Sequence, residues 1–269
     1  MRKDHITPFQ LERSAVRGRL VRLEKSLESI IEWRTYPPIV QKTLADFLVI
    51  TVALASTLKY KGVFTLQAKG DGPIRIMIAD FTHDGHLRGY AQFDEKILKS
   101  MDQALLEKEG VMALFGKGLL AFTVDQGIYA ERYQSIVGLL YPSLAECINH
   151  YFEQSEQLRT FIKVLTEKSK KGHWHGTGLM IQALPLVLKG MDLQEDNWER
   201  AYILCNSVTP KEMISQTLSD EEVIFRLFHE ETPRIYEKHP FLAQCRCSRE
   251  RIYRILKSFS EKDIRPHKG

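Results

Sequence analysis

Two cysteines separated by a single residue, Cys245 and Cys247, form the pattern with the clearest chemical potential in the sequence. Ser248 follows them and is a residue type that caps helices, so we expect both thiols at or just before a helix N-terminus. The helix dipole and three nearby arginines favour the thiolate over the thiol. Exposed thiolates bind metals and react with oxidants, so Cys245 and Cys247 are candidate redox-active residues and candidate metal ligands.

A Cys-X-Cys pair supplies half of a structural zinc site, because such sites take four nitrogen or sulfur ligands, commonly as two pairs. The residues alone do not decide whether Cys245 and Cys247 are reactive or unreactive, so both interpretations stay open. The other two cysteines, Cys147 and Cys205, fall on the apolar faces of predicted helices, beside Leu144 and Ala201 respectively. We interpret both as unreactive core residues, since free cysteine is among the most buried residue types.

Other candidate groups carry a weaker signal. His83 with His86 and His173 with His175 each offer two imidazoles without a third ligand, so we interpret them as solvated loop residues. The segment 116–118 (GKG) lacks the Ser or Thr and the spacing of a phosphate loop and is predicted to be a turn that enters a strand. No nucleophile elbow or catalytic triad is recognisable, so the sequence does not predict an enzyme.

Composition predicts a folded protein of a reducing compartment. The chain has 269 residues, 43% apolar and 10% aromatic, which is enough to bury a substantial core. Its four cysteines are too few for a disulfide scaffold of this length. The charged first 20 residues do not resemble a secretory signal, and the longest apolar run, residues 47–58, is too short to span a bilayer. We expect a cytoplasmic protein without a membrane segment.

The formal net charge of +4 combines basic ends with an acidic middle. Residues 1–25 carry seven basic and three acidic groups, and residues 241–269 carry eight and three, so the part between them has a net charge of −5. Basic ends attract phosphate groups by long-range steering, which makes an RNA- or ribosome-binding surface one interpretation. A solvated charged surface is the other, and we favour it over nucleic-acid binding.

The first half of the chain predicts an α+β fold with an antiparallel sheet and packed helices. Apolar residues at helical spacing over residues 37–60 predict a long, mostly buried helix. Short alternating runs separated by glycine-rich turns follow it and are typical of hairpins. The predicted strands are residues 63–68, 74–78, 86–93, 118–124 and 128–137.

The second half predicts helices. Ser143 with Glu146 has the spacing of a capping box, and further cap signals begin at Asp196, Thr209 and Ser219. Residues 192–240 therefore read as a string of short helices, with eleven acidic and five basic residues. Short charged helices bury little apolar area, which places them at the low end of local stability. An ordinary solvated helical subdomain is the alternative interpretation.

Several of these segments resemble the redox-regulated heat-shock holdase family, often called the 33 kDa chaperonin. The resemblance extends over nearly the whole chain and is specific. The matching segments are residues 18–23 (GRLVRL), 64–73 (FTLQAKGDGP), 87–91 (LRGYA), 131–137 (ERYQSIV), 151–158 (YFEQSEQL), 226–230 (RLFHE) and 245–251 (CRCSRER).

The resemblance implies three parts: an α+β core domain at residues 1–190, a metastable helical linker at 191–240 and a partial redox-switch module at 241–269. In that family four thiolates hold zinc in the reduced state, and Cys245 and Cys247 match the first ligand pair. Oxidation releases the zinc, forms disulfides and unfolds the module and the linker. The apolar surface that this exposes captures unfolding client proteins, and dimerisation accompanies activation. The sequence does not identify the client-binding residues.

The second ligand pair of the family, a C-x-x-C motif, is absent from the 22 residues that follow Cys247. We therefore expect a partial zinc module with a truncated or altered thiol switch. Our first hypothesis is a holdase that prevents aggregation under oxidative or heat stress. The contrasting hypothesis is an RNA- or ribosome-associated module that uses its basic termini. A thiol enzyme based on Cys247 ranks last because no base is paired with it.

Overall fold

The computed structural model describes residues 4–126, 133–155, 159–184 and 191–245, together with 250, 253, 254 and 257. Within these residues, two six-stranded sheets pack with helices, which confirms the predicted α+β class. The elements in chain order are β1 (His5–Leu11), β2 (Val16–Leu23), α1 (Lys25–Glu32), α2 (Pro38–Ala55), β3 (Val63–Lys69), β4 (Ile74–Thr82), β5 (His86–Phe93), α3 (Glu95–Ser100), α4 (Gln103–Glu109), α5 (Val111–Phe115), β6 (Leu119–Asp125), β7 (Tyr133–Gly138), α6 (Leu144–Ser155), β8 (Thr160–Lys168), β9 (Trp174–Ala183), α7 (Met191–Asn206), α8 (Pro210–Met213), α9 (Asp220–Phe228), β10 (Pro233–Ile235), β11 (His239–Pro240) and β12 (Leu242–Ala243).

The first sheet has the strand order β10-β1-β2-β9-β8, and β11 also pairs with β1. All its pairings are antiparallel. The sequence pattern does not predict β1, β2, β8 or β9. In β2 the reason is visible, because Arg17 and Arg19 alternate with Val16, Gly18 and Leu20 and make a half-buried strand resemble a charged segment.

The second sheet has the strand order β12-β5-β4-β3-β6-β7. Strands β3 to β6 confirm the predictions for residues 63–68, 74–78, 86–93 and 118–124. Strand β7 confirms the second half of the predicted strand 128–137, whose first residues lie outside the described part of the chain. Strand β12 joins the edge of this sheet in parallel to β5.

Helix α2 lies between the two sheets, where it contacts strands of both. It is long and apolar enough to cross a membrane by length and composition, but 72% of it is buried inside the protein. Its buried hydroxyls are satisfied within the helix, since Thr43 donates to the carbonyl of Ile39 and Thr51 to that of Phe47. The predicted buried helix is therefore confirmed as the central element of the main core.

Helices α7, α8 and α9 pack on the other face of the first sheet and form a second core. The capping boxes at Thr209 and Ser219 are confirmed, with both reciprocal hydrogen bonds present in each. The cap expected at Asp196 is wrong, because α7 begins at Met191 and continues for 16 residues. The expectation that these helices bury little apolar area is also wrong for the described residues, as their inward side chains show below.

Residues 239–243 form a crossing segment that connects the two sheets. Its first strand, β11, pairs with β1 of the first sheet, and its second strand, β12, pairs with β5 of the second. Between them Phe241 is buried in the main core and makes an edge-on contact with Phe81, with ring centroids 5.6 Å apart. The crossing segment leads directly to Cys245.

Candidate functional site

One face of the first sheet is apolar and lies entirely under helices α7 to α9. We call it the covered face, and it consists of Phe9, Leu11, Val16, Leu20, Leu179 and Ile181, each at most 1% exposed. The residues that cover it come from the helices and the turn between them. They are Ala201, Cys205, Val208, Met213, Val223, Ile224, Leu227 and Phe228.

The covered face is built around the contact of Phe9 with Gly18, its directly opposite residue on β2. A Cβ atom on Gly18 would lie 2.0 Å from a carbon of the Phe9 ring, so the ring occupies the space that any other residue would fill. The Phe9 ring then meets the ring of Phe228 at 5.6 Å between centroids. A glycine in the strand thus gives α9 its aromatic docking point.

Burial of these side chains decides how firmly the helices are held. Full burial of a Val, Leu, Ile, Phe or Met side chain contributes roughly 1.5–3 kcal/mol relative to leaving it exposed. Helix α9 alone places Val223, Ile224 and Phe228 at no more than 1% exposure. Glu221, Glu222 and Arg226 of α9 are exposed on the opposite face, which explains how an acidic segment docks on an apolar sheet.

A buried carboxylate fixes the start of α9 on the first sheet. The side chain of Asp220 is 1% exposed, and its Oδ2 lies 2.5 Å from Nε2 of His5 and accepts a hydrogen bond of 2.6 Å from Thr7. Its Oδ1 accepts one of 3.0 Å from Nε of Arg22. Burial would raise the pKa of Asp220, but the hydrogen bonds of His5 and Thr7 and the charge of Arg22 outweigh it and hold the pKa well below its usual range.

Arg22 also holds the end of α8. Its Nη1 donates to the carbonyl oxygen of Met213 and, at 3.0 Å, to the hydroxyl oxygen of Thr177. The Thr177 hydroxyl donates to the same Met213 carbonyl at 2.7 Å. Strands β2 and β9 therefore provide polar anchors for α8 and α9 beside the covered face.

Cys245 is exposed and lies just after the crossing segment. The backbone N–H of Gln244 donates to the carbonyl of Leu87 at 2.9 Å, which places Cys245 beside strand β5. There it interacts with Arg88, whose Nε donates to Oδ2 of Asp80 at 2.6 Å. Burial would lower the pKa of Arg88, but Asp80 and Cys245 outweigh it and raise the pKa. Cys247 lies outside the described residues, so the predicted position of the pair at a helix N-terminus stays a prediction.

The other two cysteines lie in the cores, as predicted. Cys147 belongs to the main core and Cys205 to the core over the covered face. Burial raises the pKa of both thiols, which disfavours the nucleophilic thiolate. Ala201, which is predicted to share a face with Cys205, is buried as well.

The histidine pairs make no metal site. His173 pairs with Glu28 at 2.8 Å, His175 with Glu24 at 3.3 Å and His86 with Asp84 at 3.4 Å. No group of three or more His, Cys, Asp or Glu side chains is placed to hold a metal in the described part of the chain. The GKG segment is a turn before β6, as predicted, with Gly116 at φ +63°.

The thiols do not fit a closed four-thiolate zinc site by themselves. Of the four cysteines in the sequence, Cys147 and Cys205 are buried in separate cores. That leaves Cys245 and Cys247, which supply at most two of the four ligands that a structural zinc takes.

The three arginines of β2 in the basic N-terminal segment all have hydrogen-bond acceptors within the protein. Arg22 is buried against Asp220, and Arg17 donates from Nε to Oε1 of Gln182 at 2.9 Å. Arg19 donates to the carbonyl of Ser56 at the C-terminal end of α2, where a cation complements the helix dipole. Three basic residues of the segment therefore have partners within the protein, and their presence does not require a nucleic acid as partner.

Sequence reasoning did not find the covered face or the role of Asp220. The apolar residues Phe9, Leu11, Val16 and Leu20 alternate with polar ones, and this signal is present in the printed sequence. Asp220 has no such signal, because it resembles any acidic residue in the first turn of a helix.

Comparisons with known proteins agree with one another. The family model described as "Hsp33 protein" matches residues 4–267. A 33 kDa chaperonin of Caulobacter vibrioides is 32% identical over 267 residues, which cover 97% of this chain and 87% of the relative. One of Pseudoalteromonas atlantica is 34% identical over 263 residues, covering 97% and 84%. The crystal structure of the 33 kDa chaperonin (heat shock protein 33 homolog) of Thermotoga maritima has a TM-score of 0.82 at 21% identity and covers 98% of this chain and 88% of its own, which supports the fold.

Proposed function

Because the chain belongs to the Hsp33 family, we propose that it is a redox-regulated holdase chaperone, which binds unfolding proteins and prevents their aggregation under oxidative or heat stress. The observation that carries the proposal is the covered face, an apolar surface under helices that belong to a separate stretch of the chain. A chaperone of this kind needs an apolar surface that is hidden at rest and available on demand.

The covered face is the proposed client site. Its six residues come from β1, β2 and β9, which form neighbouring strands of the first sheet and pair with one another directly, without the helices as partners. Release of residues 191–232 would therefore expose a preformed apolar surface. Unfolding proteins expose the apolar side chains that such a surface binds.

Cys245 and Cys247 are the proposed redox-active residues. Cys245 is exposed to oxidants and lies at the end of the crossing segment, whereas the buried Cys147 and Cys205 are shielded. Zinc is the expected cofactor from family membership, with Cys245 and Cys247 as its proposed ligands. When bound, zinc would stabilise the thiolates and the local fold. Because two thiolates fall short of a closed site, further ligands would have to come from elsewhere.

The remaining assignments follow from the same proposal. We assign residues 1–190 to the core domain, 191–240 to the linker and 241–269 to the redox module. The partners are unfolded or partly folded client proteins, and a homodimer is expected on activation. We place the protein in the cytoplasm and assign it no enzymatic activity.

Light scattering of a heat-unfolding client protein tests the function. The chain is added in its reduced form and after peroxide treatment, beside a Cys245→Ser/Cys247→Ser variant under both conditions. We expect the wild type to suppress aggregation, with an increase after oxidation that the variant lacks. If neither form of the wild type suppresses aggregation, the holdase proposal is wrong. Equal suppression by wild type and variant in both states would reject the thiol switch alone.

A further inference from the structure

The crossing segment and the start of α9 meet at the same end of strand β1. In the register of the sheet His5 pairs with Pro240 and Ile6 with His239, so β11 holds the first residues of β1. The side chain of His5 is at the same time the closest described partner of the buried Asp220. The backbone of His5 thus pairs with the crossing segment on one edge and with Arg22 of β2 on the other, while its side chain contacts α9.

Lys238 makes a second connection between the same two elements. It directly precedes β11, and its Nζ lies 3.6 Å from Oδ2 of Asp220 and 3.0 Å from Oε1 of Glu221. The side chains that pair with Asp220 therefore come from three places, with His5 on β1, Arg22 on β2 and Lys238 before the crossing segment. Only the last of these is part of the C-terminal stretch that leads to Cys245.

The far end of the crossing segment is held by the second sheet. Phe241 is buried against Phe81, and the N–H groups of Leu242 and Gln244 donate to the carbonyls of Gly85 and Leu87 at 3.0 and 2.9 Å. A structural change at Cys245 would first affect these two hydrogen bonds, because they are the nearest to it along the chain. Lys238 and the residues paired with the end of β1 follow within a few residues.

We propose that the cluster of Asp220 with His5, Arg22 and Lys238 is a coupling latch, which releases α9 from the covered face when the crossing segment leaves its place. This proposal rests on the proposed function, because it concerns the regulation of the same client site. Departure of the segment withdraws Lys238 and leaves the strand end that carries His5 paired with β2 alone. A buried carboxylate that loses a charged partner is destabilised, so the complete cluster favours the docked state of α9 and the loss of Lys238 favours its release into water.

The structure favours this route over a general loosening of the linker. The apolar contacts of α9 with the covered face do not involve the crossing segment. Among the described contacts, the start of α9 meets the crossing segment and its flank through Asp220 and Glu221, which both contact Lys238. A change at the segment therefore acts on α9 through charge and hydrogen bonding at its first turn.

Hydrogen exchange of the full-length reduced chain tests the latch, with the opening of α9 amides as the readout. Asp220→Asn leaves Arg22 without its charged partner and should raise the opening of α9 about 30-fold or more. Lys238→Ala acts at a partly exposed pair and should raise it about two- to fivefold. Phe241→Ala loosens the crossing segment and should raise it about tenfold or more. Arg226→Gln, a charge change on the exposed side of α9, is the matched control and should stay within about threefold.

The decisive comparison is between single and double variants. In the Asp220→Asn background, Lys238→Ala and Phe241→Ala should each change the opening of α9 by less than about twofold, because the latch is already lost. If their effects instead multiply with that of Asp220→Asn, the crossing segment and α9 are independent and the proposal is overturned. An unchanged opening of α9 in Asp220→Asn would overturn it as well. Should Phe241→Ala fail to fold, Lys238→Ala provides the same comparison with a surface residue.

A parallel aggregation assay separates this proposal from the proposed function. If Asp220→Asn opens α9 but does not suppress client aggregation, the latch stands and the assignment of the covered face as client site is wrong. If the wild type is an active holdase but α9 stays closed in Asp220→Asn, the function stands and the latch is wrong.

Discussion

The rings of Phe9 and Phe228 meet across the boundary between the first sheet and helix α9, with centroids 5.6 Å apart and an interplanar angle of 31°. Both side chains are fully buried. They are far apart in the sequence, and their contact docks α9 on the covered face. The state of this contact therefore reports whether the covered face is hidden.

Phe228→Ala should release the linker. Removal of a buried phenyl group leaves a cavity beside Phe9 and typically costs about 3–5 kcal/mol. We expect the free energy of unfolding of the linker transition, measured by urea titration, to fall by this amount, and reduced protein to suppress client aggregation. Phe225→Ala on the same helix is the matched control, because Phe225 is 61% exposed and its loss should cost less than about 0.5 kcal/mol. Equal effects of the two substitutions would contradict the assigned docking face.

Gly18→Ala should act on the same contact without removing any atom. The added methyl group meets the Phe9 ring, which has to move away from its place over β2. Overpacking of this kind costs typically about 1–3 kcal/mol. We expect a lower melting temperature by calorimetry and partial activity without oxidant. An unchanged melting temperature would show that Phe9 moves freely, against the close packing described.

The docking of α9 should be insensitive to pH from neutral down to the unfolded pKa of aspartate, about 3.9. The pKa of Asp220 is lowered in the folded protein, so its contribution is complete above the unfolded pKa and is lost as the pH falls through the folded value. Hydrogen exchange of α9 between pH 3 and pH 7, corrected for intrinsic rates, measures this. In Asp220→Asn we expect the rise in the opening of α9 at acidic pH to be absent. If the variant shows a rise of the same size, another group is responsible for it.

The thiols should differ sharply in their reaction with iodoacetamide. Exposed Cys245 should be alkylated in the folded, reduced protein, whereas burial and the raised pKa protect Cys147 and Cys205 until the protein unfolds. Peptide mass spectrometry after timed quenching gives the rate at each position. Modification of Cys205 should accelerate in Phe228→Ala, since both residues belong to the core over the covered face. A Cys205 rate equal to that of Cys245 in the wild type would contradict this assignment.

Local signals in the sequence predict the elements that depend on local chemistry. The capping boxes at Thr209 and Ser219 and the hairpin of β3 and β4 need only neighbouring residues, and the structure contains them. The central helix α2 is equally clear, because most side chains along it are apolar. Fold class and core helix could therefore be predicted without a structure.

Elements that depend on distant partners could not be predicted in this way. Strand β2 carries Arg17, Arg19 and Arg22, whose acceptors come from β9, from the end of α2 and from α9. Without these acceptors the arginines indicate a solvated surface. Asp220 is likewise ordinary in the sequence, and its hydrogen-bond partners Thr7 and Arg22 lie more than 190 positions away.

The order of the strands along the chain has a consequence for biosynthesis. Strands β1, β2 and β9 are complete by Ala183, whereas the helices over the covered face and the crossing segment follow from Met191 to Ala243. Domains generally fold as units, with N-terminal ones first during synthesis. A sheet that forms as soon as these strands are synthesised would present its apolar face before the helices can cover it.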